Sequence, residues 1–146
     1  MKKKLPIVEC YANFTIFTGD VRPQEITKLL HMEPTKIRVK GETFATPSGK
    51  ERVAPLSRWD ISSEREIDSP DMADHFGWIM ARLSTIQDAA RALQTMGNVS
   101  MRVRLVVFSS APSWVGILDI NHMQILADLN INYSVDVYFD DGDERD

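Results

Sequence analysis

One cysteine, Cys10, in 146 residues excludes an intrachain disulfide and a multi-thiolate zinc site within one chain. There is no glycine-rich phosphate loop, no paired cysteines, no helical His-Glu-x-x-His and no strained serine elbow, so the chemistries that short motifs carry have no support. No apolar run is long enough to span a bilayer. Met1-Lys2-Lys3-Lys4 starts like a signal peptide, but Pro6 and Glu9 interrupt the apolar stretch that would have to follow, and a cytoplasmic chain is expected. An excess of positive charge is missing as well: 17 Lys and Arg stand against 21 Asp and Glu, a net charge of -4. A protein built to neutralise many phosphates leans the other way, which disfavours nucleic acid as a partner.

What is present is ordinary globular material, 43% hydrophobic and 26% charged, in the size range of one domain with its own core. The expectation is one domain over 1–146, with 1–6 and the charge run 140–146 as disordered ends.

Periodicity divides the chain. Val8, Cys10, Ala12, Phe14 and Ile16 alternate with polar neighbours as the inner face of a half-buried strand. There Cys10 reads as a small buried hydrophobe in preference to a reactive thiol. Pro23 suits the first turn of a helix whose stripe is Ile26, Leu29 and Leu30, with Val21 and Ile26 placed as a hydrophobic staple. A strand over Thr35–Lys40 precedes a polar stretch, Gly41–Leu56, that Pro47, Gly49 and Pro55 mark as a long loop or irregular hairpin. Trp59 and Ile61 share one face of a short strand.

Ser69, as cap, and Pro70 open a helix with Met72, Phe76, Ile79, Met80 and Leu83 on one stripe. Ile86, Ala89, Ala90, Leu93 and Met96 continue in a shifted phase, which predicts a bend or a second helix beginning near Ser84, stopped by Gly97-Asn98. Val99–Ser109 is the strongest strand signal, and a loop with Pro112 and Trp114 follows it. Asp119 or Asn121 caps a last helix carrying His122, Ile125, Leu126 and Leu129, and Asn130 is its left-handed stop. Tyr133, Val135, Val137 and Phe139 define the final strand.

This order predicts an α+β fold: a single sheet with helices on one face, ferredoxin-like in broad terms. It is built from two strand-helix-strand units flanking a strand and a helical hairpin.

If helices cover one face, alternation places Glu9, Tyr11, Asn13 and Thr15 of the first strand on the other. Arg102 and Arg104 of the long strand join them, with Ser134, Asp136 and Tyr138 of the last. The conservative reading is a solvated face with cross-strand ion pairs, Arg102 or Arg104 with Glu9 or Asp136. The functional reading is a recognition face with two aromatics. His31, His75 and His122 sit on different helices without ligand spacing. For His75 an exposed or interface-facing edge is expected, beside the apolar stripe.

The pattern Glu33-Pro34-Thr35, Lys40-Gly41-Glu42, Trp59-Asp60-Ile61-Ser62-Ser63, His75-Phe76 and Asp136-Val137-Tyr138-Phe139 resembles the domain-of-unknown-function family 4279, from about Val8 to Phe139. The chain departs from that pattern at Arg22, where an acidic cap is expected, and at Asn130, where glycine is more usual. The resemblance implies a bacterial or phage origin and a single domain, and it assigns no catalytic residue.

The leading expectation is a non-enzymatic protein-binding module of an immunity or regulatory kind, with a homo-oligomer left open and no membrane, metal or cofactor. The alternative is a small-ligand or enzymatic site at the sheet edge, lined by Lys40, Arg58, Trp59, His75 and Asp136. Nucleic-acid binding through Tyr11, Tyr138 and the two arginines is the third.

Overall fold

The computed structural model describes residues 8–110 and 116–139. The ends at 1–6 and 140–146 and the loop positions Pro112 and Trp114 lie outside the described residues. In chain order the elements are β1 (Val8–Phe17), α1 (Pro23–Leu30), β2 (Lys36–Arg38), β3 (Thr43–Ala45), β4 (Glu51–Val53) and β5 (Arg58–Ser62). Then come α2 (Met72–Ser84), α3 (Gln87–Gln94), β6 (Ser100–Ser109), α4 (Ile120–Asp128) and β7 (Asn132–Phe139). This is a mixed α+β fold. Its main sheet has the order β2-β5-β1-β6-β7 and is antiparallel except where β7 joins β6.

The expectation of a single sheet needs one amendment: β3 and β4 pair with each other as a separate two-stranded sheet within the loop. Gly49, at φ 84, supplies the turn between them, a left-handed conformation that costs glycine least.

Alternation decides which side of the sheet is core. Ala12, Phe14 and Ile16 of β1, Trp59 and Ile61 of β5, and Met101, Val103 and Leu105 of β6 are buried in one cluster with residues of all four helices. Each fully buried large apolar side chain there contributes about 1.5–3 kcal/mol. Among the described residues no helix is long and apolar enough to cross a membrane.

Helix starts follow local chemistry. Pro23 is the first residue of α1, and Arg22 makes no capping bond. Asp20 leaves the cap unfilled; its backbone N–H donates to the Gly97 carbonyl at 3.1 Å. The cap of α2 is Asp71, whose carboxylate accepts from Ala73 N–H at 2.9 Å. Ser69, the expected cap, lies two residues too early and instead donates its hydroxyl to Asp74 at 2.6 Å. Asp119 caps α4, and Asn130 takes the left-handed conformation that ends it. Gly19, at φ 56, lets β1 turn hard against the start of β6: a Cβ there would collide with the Gly97 carbonyl oxygen.

Candidate functional site

The sheet face turned away from the helix cluster carries most of the polar strand residues together with Phe17, Val106 and Phe108, and register sets these side chains in rows across the strands. Lys36, Asp60, Thr15, Arg102 and Asn132 form one row. On one side of it run Arg38, Arg58, Phe17 and Ser100; on the other, Ser62, Asn13, Arg104 and Ser134. Tyr11, Val106 and Asp136 come next, then Glu9, Phe108 and Tyr138. Glu9, Tyr11, Asn13, Thr15, Arg102, Arg104, Ser134, Asp136 and Tyr138 all stand on this face, as alternation requires.

Two ion pairs organise it. Arg58 grips Asp60 with two N–H groups, Nε to Oδ2 at 2.8 Å and Nη2 to Oδ1 at 3.1 Å, and the Thr15 hydroxyl donates to the same carboxylate at 2.5 Å. Thr15 and Asp60 are thereby buried although they lie on the open side. Arg104 reaches across to β7 and pairs with Asp136. Among the described residues Arg102 takes no carboxylate; its guanidinium lies over the Phe17 ring, 5.3 Å from the centroid. Its Nε and the Asn13 Oδ1 are both buried without a hydrogen-bond partner.

At the other end, Phe108 and Tyr138 stack, with centroids 5.1 Å apart and planes at 18°, and remain 39% and 48% exposed. Beside them Glu9, Tyr11, Glu64, Asp68 and Phe108 line a cleft of about 320 Å³. Burial, with the nearby Glu64 carboxylate, raises the Tyr11 hydroxyl above its ordinary pKa. Cys10, on this cleft's rim, is likewise raised, by burial and then by Asp71 and Asp74, and its thiol donates weakly to the Pro70 carbonyl at 3.5 Å. A second cleft, about 400 Å³, opens at the opposite end between Phe17, Lys40, Leu56, Ser57 and Ser100. Both volumes fall in or near the range of small-ligand sites.

Of the residues expected at a sheet-edge site, the structure does not assemble a set. Trp59 is fully buried on the helix side, where its indole N–H donates to Thr27 Oγ1 at 3.0 Å. His75 is 1% exposed, a correction to its expected place on an exposed edge. Its Nδ1 meets Ser63 Oγ at 2.7 Å and its Nε2 meets the Ser69 carbonyl at 2.8 Å. Since a carbonyl only accepts, Nε2 carries a proton, and Ser63 Oγ, besides meeting Nδ1, accepts from Ala12 N–H at 2.8 Å. The imidazole ties α2 to the end of β5 and, through Ser63, to β1. Arg58 and Asp136 share the open face but are separated by three strand spacings across the sheet, about 14 Å, and by three rows along it, roughly 20 Å more. Lys40 lines the second cleft without the others.

Lys36, Arg38, Phe17 and Phe108 escaped the sequence reading. Alternation alone could have found Phe108, four residues after Arg104 on the same face; Lys36 and Arg38 needed the strand order. Among the described residues no group of His, Cys, Asp and Glu is placed to hold a metal ion.

Fold and site together define a small α+β protein whose sheet has one helix-covered face and one charged, aromatic-bearing face. Residues 8–140 match the family model described as "Domain of unknown function (DUF4279)". The chain belongs to that family. No curated protein and no solved structure matches it.

Proposed function

We propose that this chain is a non-enzymatic protein-binding module, of an immunity or regulatory kind, that works through the open face of its sheet. The observation that carries the reading is the stacked, half-exposed Phe108 and Tyr138 pair, one row from Asp136 and two from its ion-pair partner Arg104. Exposed aromatics and arginines on a rigid surface are the residue types that dominate protein interfaces.

The reading includes one domain over 1–146, a cytoplasmic location and a bacterial or phage origin. A ferredoxin-like core is part of it too. The order β2-β5-β1-β6 supports this, since β5 separates β1 from β2 and β1 separates β5 from β6, as in interleaved strand-helix-strand units.

A photo-crosslinking residue placed at Tyr138, in cells that produce the protein, is expected to yield a discrete protein adduct. The same residue at Arg91 on α3 is not, and Arg104→Ala weakens the adduct at 138. Equal adducts at both positions, or none at 138, would overturn the reading.

A small-ligand role is the second reading, favoured by the 320 Å³ cleft beside Tyr11 and Phe108. Nucleic acid is third: the aromatic rings stack on each other, and Glu9, Glu64 and Asp136 surround them.

A further inference from the structure

The open face is not evenly charged. In the two rows at the β2 end, Asp60 is the only carboxylate among Lys36, Arg38, Arg58 and Arg102. Its oxygens are already occupied by Arg58 and Thr15. Arg38 has no carboxylate partner among the described residues; its guanidinium lies 3.5 Å from the centroid of Phe44, which the β3–β4 hairpin brings over this edge. Arg102 is half-buried over Phe17, with its Nε inaccessible and, among the described residues, without a partner, so it adds positive charge to the patch. A guanidinium stacked on a ring keeps its N–H edge free for an oxygen acceptor. Lys36 registers the crowding of cations: burial, then Arg38 and Arg58, hold its ammonium below the ordinary lysine range. A chain of net charge -4 thus gathers unneutralised positive charge in one patch.

We propose that the strip Lys36–Arg38–Arg58–Arg102 docks a short acidic segment of a partner protein, with partner carboxylates on the free N–H edge of Arg38 and against the half-buried Arg102. This rests on the reading of the open face as a protein-binding surface and names the chemistry of the partner. Arg58 already holds Asp60 in the two-bond geometry that a guanidinium offers a carboxylate. The strip spans about 14 Å, the length of roughly four extended residues, so it suits a short cluster of Asp and Glu. A long polyanion such as RNA fits worse. Laid along the face it runs from the strip onto Glu9, Glu64 and Asp68, which carry no ion pair among the described residues.

The test is fluorescence anisotropy with a labelled peptide of four glutamates flanked by Gly and Ser. The wild-type protein is expected to bind it, more weakly as salt rises from about 50 to 500 mM. Arg102→Glu and Arg38→Glu are each expected to lower affinity about tenfold or more, and Arg91→Glu on α3 to leave it unchanged. Arg102→Gln, checked for an unchanged thermal midpoint, gives a smaller loss of the same sign and decides the matter if the charge reversals do not fold.

No binding of the acidic peptide, or equal binding by wild type and Arg102→Gln, overturns the proposal. Tighter binding of an oligouridylate of equal charge overturns it in favour of nucleic acid, and full displacement of the peptide by millimolar phosphate in favour of a small anion. Failure here with a persisting crosslink at Tyr138 leaves the protein-binding reading intact; peptide binding with no crosslink at Tyr138 removes that reading alone.

Discussion

The two faces of the five-stranded sheet use the same alternating strands for opposite ends. On the helix side, Phe14, Ile16, Trp59 and Val103 are removed from water and held by packing against all four helices. On the open side, order comes from directed bonds: Arg58 and Thr15 on Asp60, Arg104 on Asp136, Phe108 on Tyr138. Burial is non-directional and scales with area, so the first face supplies stability. Partly exposed ion pairs contribute about 0–1 kcal/mol each, so the second face is free to be shaped by recognition.

Substitutions that exchange the roles of the faces are the strongest way to break this comparison. Trp59→Ala empties a fully buried site and strands the Thr27 hydroxyl that accepts its N–H. A loss of about 3–5 kcal/mol is expected, a large part of the roughly 5–15 kcal/mol typical of a domain, read as a lower urea midpoint. A loss below 1 kcal/mol would mean that the helix side is not the stabilising one.

Ser63→Ala probes a second polar tie within that core. It leaves Ala12 N–H and His75 Nδ1 without partners in a buried place, and a cost of about 1–3 kcal/mol is expected in the same measurement. An unchanged midpoint would show that the Ser63 and His75 contacts are incidental.

The pattern of the sequence carried much of this division and stopped where topology took over. Ala12, Phe14 and Ile16 against Tyr11, Asn13 and Thr15 split the faces of β1 by period alone, as Met101, Val103 and Leu105 against Arg102 and Arg104 did for β6. His75 was misplaced because it is polar. Its spacing, three residues after Met72 and four before Ile79, already put it on the buried stripe. The expected sheet-edge set mixed Trp59 and His75 with Arg58 because proximity in sequence does not say which side of a strand a residue takes. Lys36 and Arg38 were invisible as part of the site until β2 was seen to pair with β5, which sets Lys36 opposite Asp60 and Arg38 opposite Arg58.

Arg104→Ala and Tyr138→Ala carry the comparison to the open face. Each is expected to change stability by about 1 kcal/mol or less, since both side chains retain substantial contact with water. Arg104→Ala is also expected to weaken the protein adduct at position 138, which ties the residue to recognition. A destabilisation approaching that of Trp59→Ala would make the open face structural.

The smallest effect is the most local reading of that face. Lys36 is held below 10.5 first by burial and then by Arg38 and Arg58, while Asp60 opposes them. In the window just under 10.5 the unfolded chain therefore binds more protons at this site than the folded one, and the site's contribution to stability rises with pH there. Arg38→Gln removes one repelling charge but leaves the burial, so the Lys36 titration, followed by side-chain NMR, is expected to move part of the way back towards 10.5. Added salt is expected to move it in the same direction, because an exposed cation pair is screened and a burial penalty is not. A Lys36 titration indifferent to both would assign the whole depression to burial, and the strip would lose its evidence of crowded, unneutralised charge.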